Sequence, residues 1–222
     1  MTINWTAAQI ALGVTADGIP GPNTYRALFA YMGAPVGTSV SLGIAAAVHF
    51  PAYGIADSKA RLSDFLGQCG NETGNYTRFE ENLNYSAEGL TRTWPKRFPP
   101  AKAQQYAHKP EMIAAVAYGD RMGNRTPEEG YLFRGRGMLQ LTGRANYEST
   151  NRRLGIGLDT NPEMAAVPAL SLLIACDFYK AAGVLTAIDR GDTAGARRIT
   201  NGGSIGLDNV NRLRARALQV LV

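Results

Sequence analysis

The amino-acid sequence predicts a mainly α-helical fold with a small β element. Apolar residues recur at helical spacing in several segments, many of which begin at a capping residue or a proline and end at a glycine. Residues 168–182 are apolar on nearly all sides, which is typical of a helix buried at the centre of a domain. Extended patterns are confined to residues 131–142 and 78–85, and these two segments predict the β element.

The N-terminal part of the chain predicts a small helical piece followed by a linker. Two short helical patterns flank the turn Asp-Gly-Ile-Pro-Gly-Pro at residues 17–22. Residues 33–41 have the composition of a linker. We therefore expect a short helical segment over residues 1–36 and one principal domain over residues 37–222.

The strongest helical pattern follows this segment. A capping Asp or Ser precedes apolar residues at positions i, i+3, i+4 and i+7, namely Leu62, Phe65, Leu66 and Cys69. Gly70 and Gly74 are expected to end the helix, which places Glu72 at or just past its C-terminus. The helix macrodipole is negative at that end and gives an acidic group no support.

Further helices are predicted downstream. Ser86 can cap a short helix that Pro95 ends, and Pro110 suits the first turn of a helix that runs to Arg121. After a glycine-rich segment, another helix is expected over residues 146–154. The last helix is expected over residues 208–221.

The chain is basic, with a net charge of +5 and a pI near 9.3, which favours anionic partners. Its densest basic stretch alternates Arg212, Arg214 and Arg216 with apolar residues, a pattern typical of one solvated face of a terminal helix. We therefore expect no nucleic-acid partner. Anionic polymers such as bacterial wall material remain suitable partners, and we expect the protein to be a monomer.

The two cysteines, Cys69 and Cys176, each lie within an apolar helical pattern and are expected to be buried thiols rather than a disulfide. With His49 and His108 they lack the close spacing of metal ligands, so neither a metal nor another cofactor is expected. The N-terminus has no basic region followed by an apolar core, and no stretch approaches 18 consecutive apolar residues. We therefore expect neither a signal peptide nor stable membrane insertion.

Two features of the sequence are candidates for a catalytic or ligand-binding role. Glu72 and Glu81 could form the pair of carboxyl groups that glycosidic hydrolysis requires, although many acidic pairs in loops have this spacing. The glycines of residues 133–142 resemble a phosphate-binding loop but lack its final Gly-Lys-Ser/Thr. They favour close approach of a polymer to the backbone, with Gln140 and Thr142 supplying hydrogen bonds.

Four motifs in a fixed order resemble family 19 glycoside hydrolases, the chitinase-like group that includes many phage endolysins. Residues 65–74 are similar to the helix end that bears the general acid of that family, and residues 81–87 to the endolysin loop that bears the second carboxylate. Residues 134–142, followed by Asn146 and Tyr147, are similar to the signature Gly-Arg-Gly-x-x-Gln-Leu-Thr. Residues 199–203, Ile-Thr-Asn-Gly-Gly, are similar to its Ile-Asn-Gly-Gly turn.

The resemblance implies a lysozyme-superfamily, two-lobed, α-rich fold with a substrate cleft and an inverting single displacement. Glu72 would be the general acid, while Glu81 would hold or deprotonate the attacking water. Thr142 would help to position that water. Residues expected to bind N-acetyl and hydroxyl groups of the sugars are Gln140, Asn146 and Asn201. An inverting enzyme holds its two carboxyl groups ~6.5 to 9.5 Å apart.

Two departures from the chitinases favour endolysins within this family. Asn71 stands where the chitinases usually have His, and their second Glu is more distant in sequence. Glu80 lies beside Glu81 and could be confused with it as the second catalytic carboxylate. Residues 12–24, from Leu-Gly-Val to Pro-Asn-Thr, resemble the core of a peptidoglycan-binding repeat, so residues 1–36 either bind the wall or cap the catalytic domain.

We therefore expect an endolysin that hydrolyses the β-1,4 glycosidic bonds of peptidoglycan glycan strands. It would remain in the host cytoplasm until a separate factor releases it to the periplasm or cell wall. The alternatives are a chitinase, a lytic transglycosylase, and a wall-binding protein without activity. Cleavage after N-acetylmuramic acid and cleavage after N-acetylglucosamine are both compatible with the motifs.

Overall fold

The computed structural model describes all 222 residues and confirms the mainly α-helical prediction. Thirteen α-helices follow one another along the chain: α1 Trp5–Leu12, α2 Pro22–Tyr31, α3 Val36–Tyr53, α4 Lys59–Thr73, α5 Ala87–Thr93, α6 Pro100–Tyr106, α7 Pro110–Tyr118, α8 Pro127–Leu132, α9 Arg144–Leu154, α10 Pro168–Ala181, α11 Val184–Asp189, α12 Thr193–Asn201 and α13 Leu207–Leu218. A 3-10 helix, Pro162–Ala166, lies between α9 and α10.

The helices are distributed over two compact units. The first unit comprises Met1–Phe79, Gly137–Leu139 and Ala166–Val222, and the second comprises Glu80–Arg136 and Gln140–Ala165. Residues 1–36, expected to form a segment of their own, lie in the first unit, where α2 packs along α3.

The first unit is built around α4 and α10, and α10 confirms the prediction of a buried central helix. Edge-on aromatic contacts continue from the N-terminal helices into its core: Tyr25 meets Phe50 at 5.2 Å between ring centroids, and Phe50 meets Phe65 at the same distance. Such pairs stabilise a core beyond the area that they bury. Cys69 and Cys176 are buried free thiols in the same core.

The linker predicted over residues 33–41 is wrong beyond its first three residues, because α3 begins at Val36. Glycines and β-branched residues lower the helix propensity of this stretch, and packing overrides that local preference. A Cβ on Gly43 would lie 2.7 Å from backbone atoms of α2, so the glycine allows the two helices to touch. By length and composition alone α3 could cross a membrane, but its Leu42 and Ala46 are buried in the core of the first unit.

The second unit contains α5 to α9 and a smaller core formed by six buried residues: Leu83, Leu90, Phe98, Ala103, Ile113 and Ala114. Ser86 caps α5 by accepting a hydrogen bond from the Gly89 amide, and the helix ends just before Pro95, as predicted. Helix α7 begins at Pro110 as predicted and ends earlier than expected, at Tyr118.

The expected β element is reduced to two isolated antiparallel bridges, Glu80 with Arg136 and Arg136 with Leu141. Part of the predicted extended segment is helical, because α8 continues to Leu132. Gly137 and Gln140 have positive φ angles of 80° and 53°, which interrupt an extended backbone and prevent a continuous ladder.

Candidate active site

Glu72 lies in the last turn of α4, as predicted. Ser58 caps the start of this helix, and Gly74 ends it in a left-handed conformation with φ 58°. The two residues after Gly74, Asn75 and Tyr76, also have positive φ angles, 59° and 64°. Such a backbone costs a side-chain-bearing residue about 1–2 kcal/mol, so other contacts must hold it.

Tyr76 supplies those contacts. Its side chain is fully buried, and its hydroxyl donates a hydrogen bond of 2.8 Å to the carbonyl of Leu66, inside α4. Its backbone amide donates to Thr73 Oγ1 at 2.8 Å. The left-handed turn is thereby tied back onto α4, the helix whose last turn carries Glu72.

Arg197 pairs with Glu72 in the first unit. The arginine lies on α12 with its side chain only 2% exposed, whereas the Glu72 side chain is 19% exposed. Its Nη1 donates to Glu72 Oε1 at 2.7 Å and to Gln68 Oε1 at 2.9 Å. Its Nε and Nη2 donate to the carbonyl of Ile205. Every hydrogen-bonding nitrogen of this buried guanidinium therefore has a partner, and its position is strongly determined.

Asn71 also holds Glu72. Its Nδ2 donates to Glu72 Oε1 at 3.0 Å, while its Oδ1 accepts a hydrogen bond of 2.7 Å from Asn209 of α13. Asn71 is thus part of a directed chain of hydrogen bonds from Asn209 to Glu72. Both donors to Glu72 contact the same oxygen, Oε1.

Asn201, predicted to bind sugar, ends α12 one turn after Arg197. It is exposed, and its Nδ2 lies 3.3 Å from the carbonyl of Ile205, the carbonyl that also accepts from Arg197. Gly202 follows in a left-handed conformation with φ 73° and ends the helix. Glu72 and Asn201 are the predicted site residues that belong to the first unit.

Glu81 lies in the second unit and is held by two donors. Its Oε1 accepts a hydrogen bond of 2.6 Å from the Gly135 amide, and its Oε2 accepts one of 3.0 Å from the Tyr118 hydroxyl. Its own amide donates to the Gly135 carbonyl at 2.9 Å. Burial, together with the nearby Glu81 carboxylate, raises the pKa of Tyr118 above its usual range. The phenol therefore keeps its proton and acts as a permanent donor.

Glu80 has different partners from its neighbour. Its carboxylate pairs with Arg134 and accepts from Arg136 Nε at 3.0 Å. Arg136 is itself buried and also donates to the Leu132 carbonyl at 2.8 Å. Glu80 is thus engaged in a local ion-pair cluster, whereas Glu81 contacts the glycine-rich segment.

Three predicted site residues converge on Gly135. A Cβ at this glycine would lie 2.7 Å from Gln140 Oε1, 3.2 Å from Thr142 Oγ1 and 3.3 Å from Glu81 Cδ. Gln140 is a non-glycine residue with φ 53°, a conformation that often marks functional sites. Only the absence of a side chain at Gly135 allows this approach.

Thr142 and Asn146 continue the same cluster. The Thr142 hydroxyl donates to the Gln140 carbonyl at 2.7 Å, so its lone pairs are available to accept. Asn146, in the first turn of α9, donates from Nδ2 to the Thr142 carbonyl at 2.8 Å and is exposed. The structure therefore brings together the four predicted site residues of the second unit: Glu81, Gln140, Thr142 and Asn146.

Arg197 and Tyr118 were missed by sequence reasoning. Arg197 and Arg198 stand side by side just before the Ile-Thr-Asn-Gly-Gly run. Nothing in the local sequence pattern distinguishes the buried Arg197 from the exposed Arg198. Tyr118 lies at the end of an apolar helical pattern, where an aromatic residue is more often part of a core.

The N-terminal motif forms a polar pocket of about 510 Å³ within the first unit. The side chain of Gln9, which is buried, organises it: Nε2 donates to Asp17 at 2.8 Å and to Thr24 at 3.1 Å, and Oε1 accepts from the Gly18 amide at 2.8 Å. The Ile19 amide and Gln9 lower the pKa of Asp17 through these hydrogen bonds, so the carboxyl is ionised.

A curated relative from Haemophilus influenzae, described as a glycosyl hydrolase family 19 domain-containing protein, is 40% identical over 169 residues. The alignment covers 73% of this chain and 80% of the relative. A scan against protein-family models found no match.

Solved structures show the same fold at lower identity. Chitinase C from Streptomyces griseus superposes with a TM-score of 0.64 at 18% identity, covering 94% of this chain and 79% of its own. A bacterial family 19 chitinase gives 0.54 at 19% identity, with 90% and 95% covered. A family 19, class IV chitinase from Zea mays gives 0.50 at 16% identity, with 96% and 90% covered.

Proposed function

The chain belongs to glycoside hydrolase family 19, and on this premise we propose that it is an endolysin that hydrolyses the β-1,4 glycan strands of bacterial peptidoglycan. It is a glycoside hydrolase with the α-rich, lysozyme-like fold of family 19 chitinases. The observation that carries the proposal is the arrangement around Gly135, where Glu81, Gln140 and Thr142 meet at a position that has no side chain.

Glu72 is the proposed proton donor. Arg197 and Asn71 both donate to its Oε1, which leaves Oε2 for the proton that the leaving glycosidic oxygen receives. The partial exposure of this side chain gives a substrate access to it. As the glycosidic bond breaks, the electron pair passes to the leaving oxygen and the proton follows from Oε2.

Glu81 is the proposed base. The Gly135 amide and the Tyr118 hydroxyl are both donors, and donors are the partners that suit an ionised carboxylate. The Thr142 hydroxyl donates a hydrogen bond to the Gln140 carbonyl, so its oxygen can accept a hydrogen bond from the attacking water. That water adds to the anomeric carbon on the face opposite the leaving oxygen, which inverts the configuration. It transfers one proton to Glu81 and keeps the other in the new hydroxyl group.

Three features support peptidoglycan as the substrate. Asn71 replaces the usual His of the chitinases, and Glu81 follows Glu72 after only nine residues, as in the endolysin version of the loop. Residues 12–24 resemble the core of a peptidoglycan-binding repeat, and many of them line the pocket around Gln9. The basic surface also favours an anionic wall.

A chitinase is the second candidate function, because the solved structures with this fold are chitinases. An endolysin and a chitinase would both use the carboxyl groups of Glu72 and Glu81. They would differ in the sugars on either side of the scissile bond. The substrate must therefore be determined directly.

Product analysis tests the proposal. Purified sacculi and colloidal chitin are digested separately, reduced with borohydride and examined by mass spectrometry. Reduced amino sugar ends from sacculi support an endolysin and identify the residue at the cut, whereas reduced ends from chitin alone would make the protein a chitinase. Anhydro sugars would indicate a lytic transglycosylase. Binding to sacculi without any product would indicate a wall-binding protein.

A further inference from the structure

The outward face of α3 is apolar along the whole helix. Every exposed residue of α3 is apolar, and four aliphatic side chains at a spacing of four residues form a continuous ridge: Val36, Val40, Ile44 and Val48. These four are between 41% and 80% exposed, and the ridge is about 18 Å long. The opposite side of α3 is buried in the core of the first unit. A surface helix normally presents polar and charged residues to water, so this face is suited to contact with an apolar partner.

No acidic or basic side chain interrupts this part of the chain. Residues 27–56 contain no Asp, Glu, Lys or Arg. Their one histidine, His49, is half-buried, and burial lowers its pKa, so it is mostly neutral at pH 7. Transfer of the ridge from water to an apolar phase therefore desolvates no charged group, which would otherwise be the largest cost of the transfer.

Cations lie beside both ends of α3. Lys180 Nζ lies 5.7 Å from the ring centroid of Tyr53, the last residue of the helix. The guanidinium of Arg216 lies 5.1 Å from the ring of Tyr31, which ends α2 just before α3 begins. Both cations are exposed. Tyrosines together with Lys or Arg beside an apolar surface are typical of the boundary between a membrane and water.

The charges and the size of the ridge disfavour a second copy of the chain as its partner. A ridge about 18 Å long and about 10 Å wide covers roughly 200 Å², whereas each partner of a stable complex contributes about 800 Å². Two copies that paired along their ridges would also bring like charges together. In an antiparallel pair Arg216 of one copy would approach Lys180 of the other, and in a parallel pair each cation would approach its equivalent.

We propose that this ridge of α3 docks reversibly on an anionic lipid bilayer. The aliphatic side chains enter the boundary between headgroups and acyl chains, and the neighbouring cations attract the phosphate groups of the lipids. A bilayer adapts its shape to a narrow ridge, which a folded partner does not. Because Leu42 and Ala46 on the other side of α3 stay in the core, the helix lies on the membrane and does not span it. The proposal is independent of the substrate and of the catalytic residues.

Vesicle flotation tests the apolar part of the contact. The full chain should float with vesicles of phosphatidylethanolamine and phosphatidylglycerol at a ratio of three to one. I44E places a charge at the centre of the ridge and should lower the partition coefficient at least about tenfold. M112E is the matched control, because it adds the same charge to an exposed residue of α7 in the second unit and should bind like the wild type.

A second pair of variants tests the cationic part. K180Q/R216Q should lower binding to these vesicles about tenfold and change binding to phosphatidylcholine vesicles little, because only the anionic lipid attracts the cations. R92Q/K96Q removes the same net charge from exposed positions of the second unit and should bind like the wild type.

A fluorescent label reports which face meets the lipid. Cys69 and Cys176 are buried, so a thiol-reactive dye that responds to polarity can be attached selectively to I44C or to M112C. Emission from the label at position 44 should shift to shorter wavelength when vesicles are added. Emission from the label at position 112 should stay unchanged.

The proposal is overturned if the wild type does not float, or if I44E and M112E lose binding equally. A concentration-dependent dimer in sedimentation velocity that I44E disrupts would assign the ridge to a second copy and would also overturn it. Circular dichroism checks the folding of each variant, and I44S replaces I44E if the latter is unfolded. Flotation needs no catalysis, so E72Q should float like the wild type even if the proposed function fails.

Discussion

Arg197 Nη1 lies 2.7 Å from Glu72 Oε1, and the arginine reaches this carboxyl group from an almost fully buried position. A buried guanidinium with several fixed acceptors moves little, so Glu72, the proposed proton donor, is held by a rigid partner rather than by a solvated side chain. Neither Arg197 nor Asn71 contacts the opposite oxygen, Oε2, which is the oxygen proposed to carry the proton.

Replacing Glu72 with Gln should abolish lysis of permeabilised cells. The amide keeps an oxygen that accepts from Arg197, so the far-ultraviolet circular dichroism spectrum should stay unchanged. A general acid contributes about 10²–10⁴-fold to the rate, and a loss of this size is expected. Lysis at the wild-type rate would remove Glu72 from the donor role.

Replacing Arg197 with Met should destabilise the protein and impair catalysis together. Removing one partner of a buried ion pair costs about 3 kcal/mol, which thermal or urea unfolding would detect. Arg198 is the matched control, because its side chain is 61% exposed and lies 3.7 Å from Asp192 on the surface. R198M should change the free energy of unfolding by less than about 0.5 kcal/mol; equal losses in the two variants would contradict this assignment.

Neighbouring carboxyl groups allow a second matched comparison. E81Q should lower kcat by about 10²-fold or more while the unfolding temperature changes little, because Glu81 is the proposed base that acts on water. E80Q should instead lower the unfolding temperature, because it removes a charge that compensates Arg134 and the buried Arg136. A larger catalytic loss in E80Q than in E81Q would reverse the two roles.

Gly135→Ala should reduce activity more than stability. The new Cβ would meet Gln140 Oε1 at 2.7 Å and must displace it, so hydrolysis of sacculi should fall at least about tenfold. Gly37, the second residue of α3, has open space around it, so G37A should leave both activity and the free energy of unfolding intact. Full activity in G135A would show that the close approach at this glycine has no functional importance.

Wall binding by the N-terminal pocket can be tested without removing the segment. Deletion of residues 1–36 would take Tyr25, Leu28 and Phe29 out of the core of the first unit, so it would test folding rather than binding. Asn23 and Arg26 line the pocket and are exposed.

The variant N23A/R26A should therefore sediment less with sacculi and turn over soluble glycan fragments at the wild-type rate. R190A removes the same charge from an exposed position outside the pocket and should sediment normally. Unchanged sedimentation of N23A/R26A would make the segment a structural cap.

Much of the fold could be predicted because local signals agreed with the packing. Ser86 and Pro95 bracket α5, and the apolar run that begins at Pro168 forms the central helix. Helix α3 could not be predicted, since its propensity is poor and a contact through Gly43 with a distant segment stabilises it. The β element was overestimated because the sequence shows an alternating, strand-like pattern but does not show that Gln140 has a positive φ angle.

The site residues that lie within sequence motifs could be predicted. Glu72, Glu81, Gln140 and Thr142 stand in local patterns, and the structure gathers the last three around Gly135. Arg197 reaches Glu72 across 125 positions of sequence, and Tyr118 reaches Glu81 across 37. Such partners are defined by tertiary packing, so no local pattern reports them.

The tight contact at Gly43 restricts how chimeric enzymes could be made from this chain. Because α2 and α3 touch through their backbones, a foreign targeting module spliced in at residue 36 would have to reproduce the surface of α2. Fusion ahead of Met1, with the native helices retained, avoids this requirement and is the more promising route to retargeted variants.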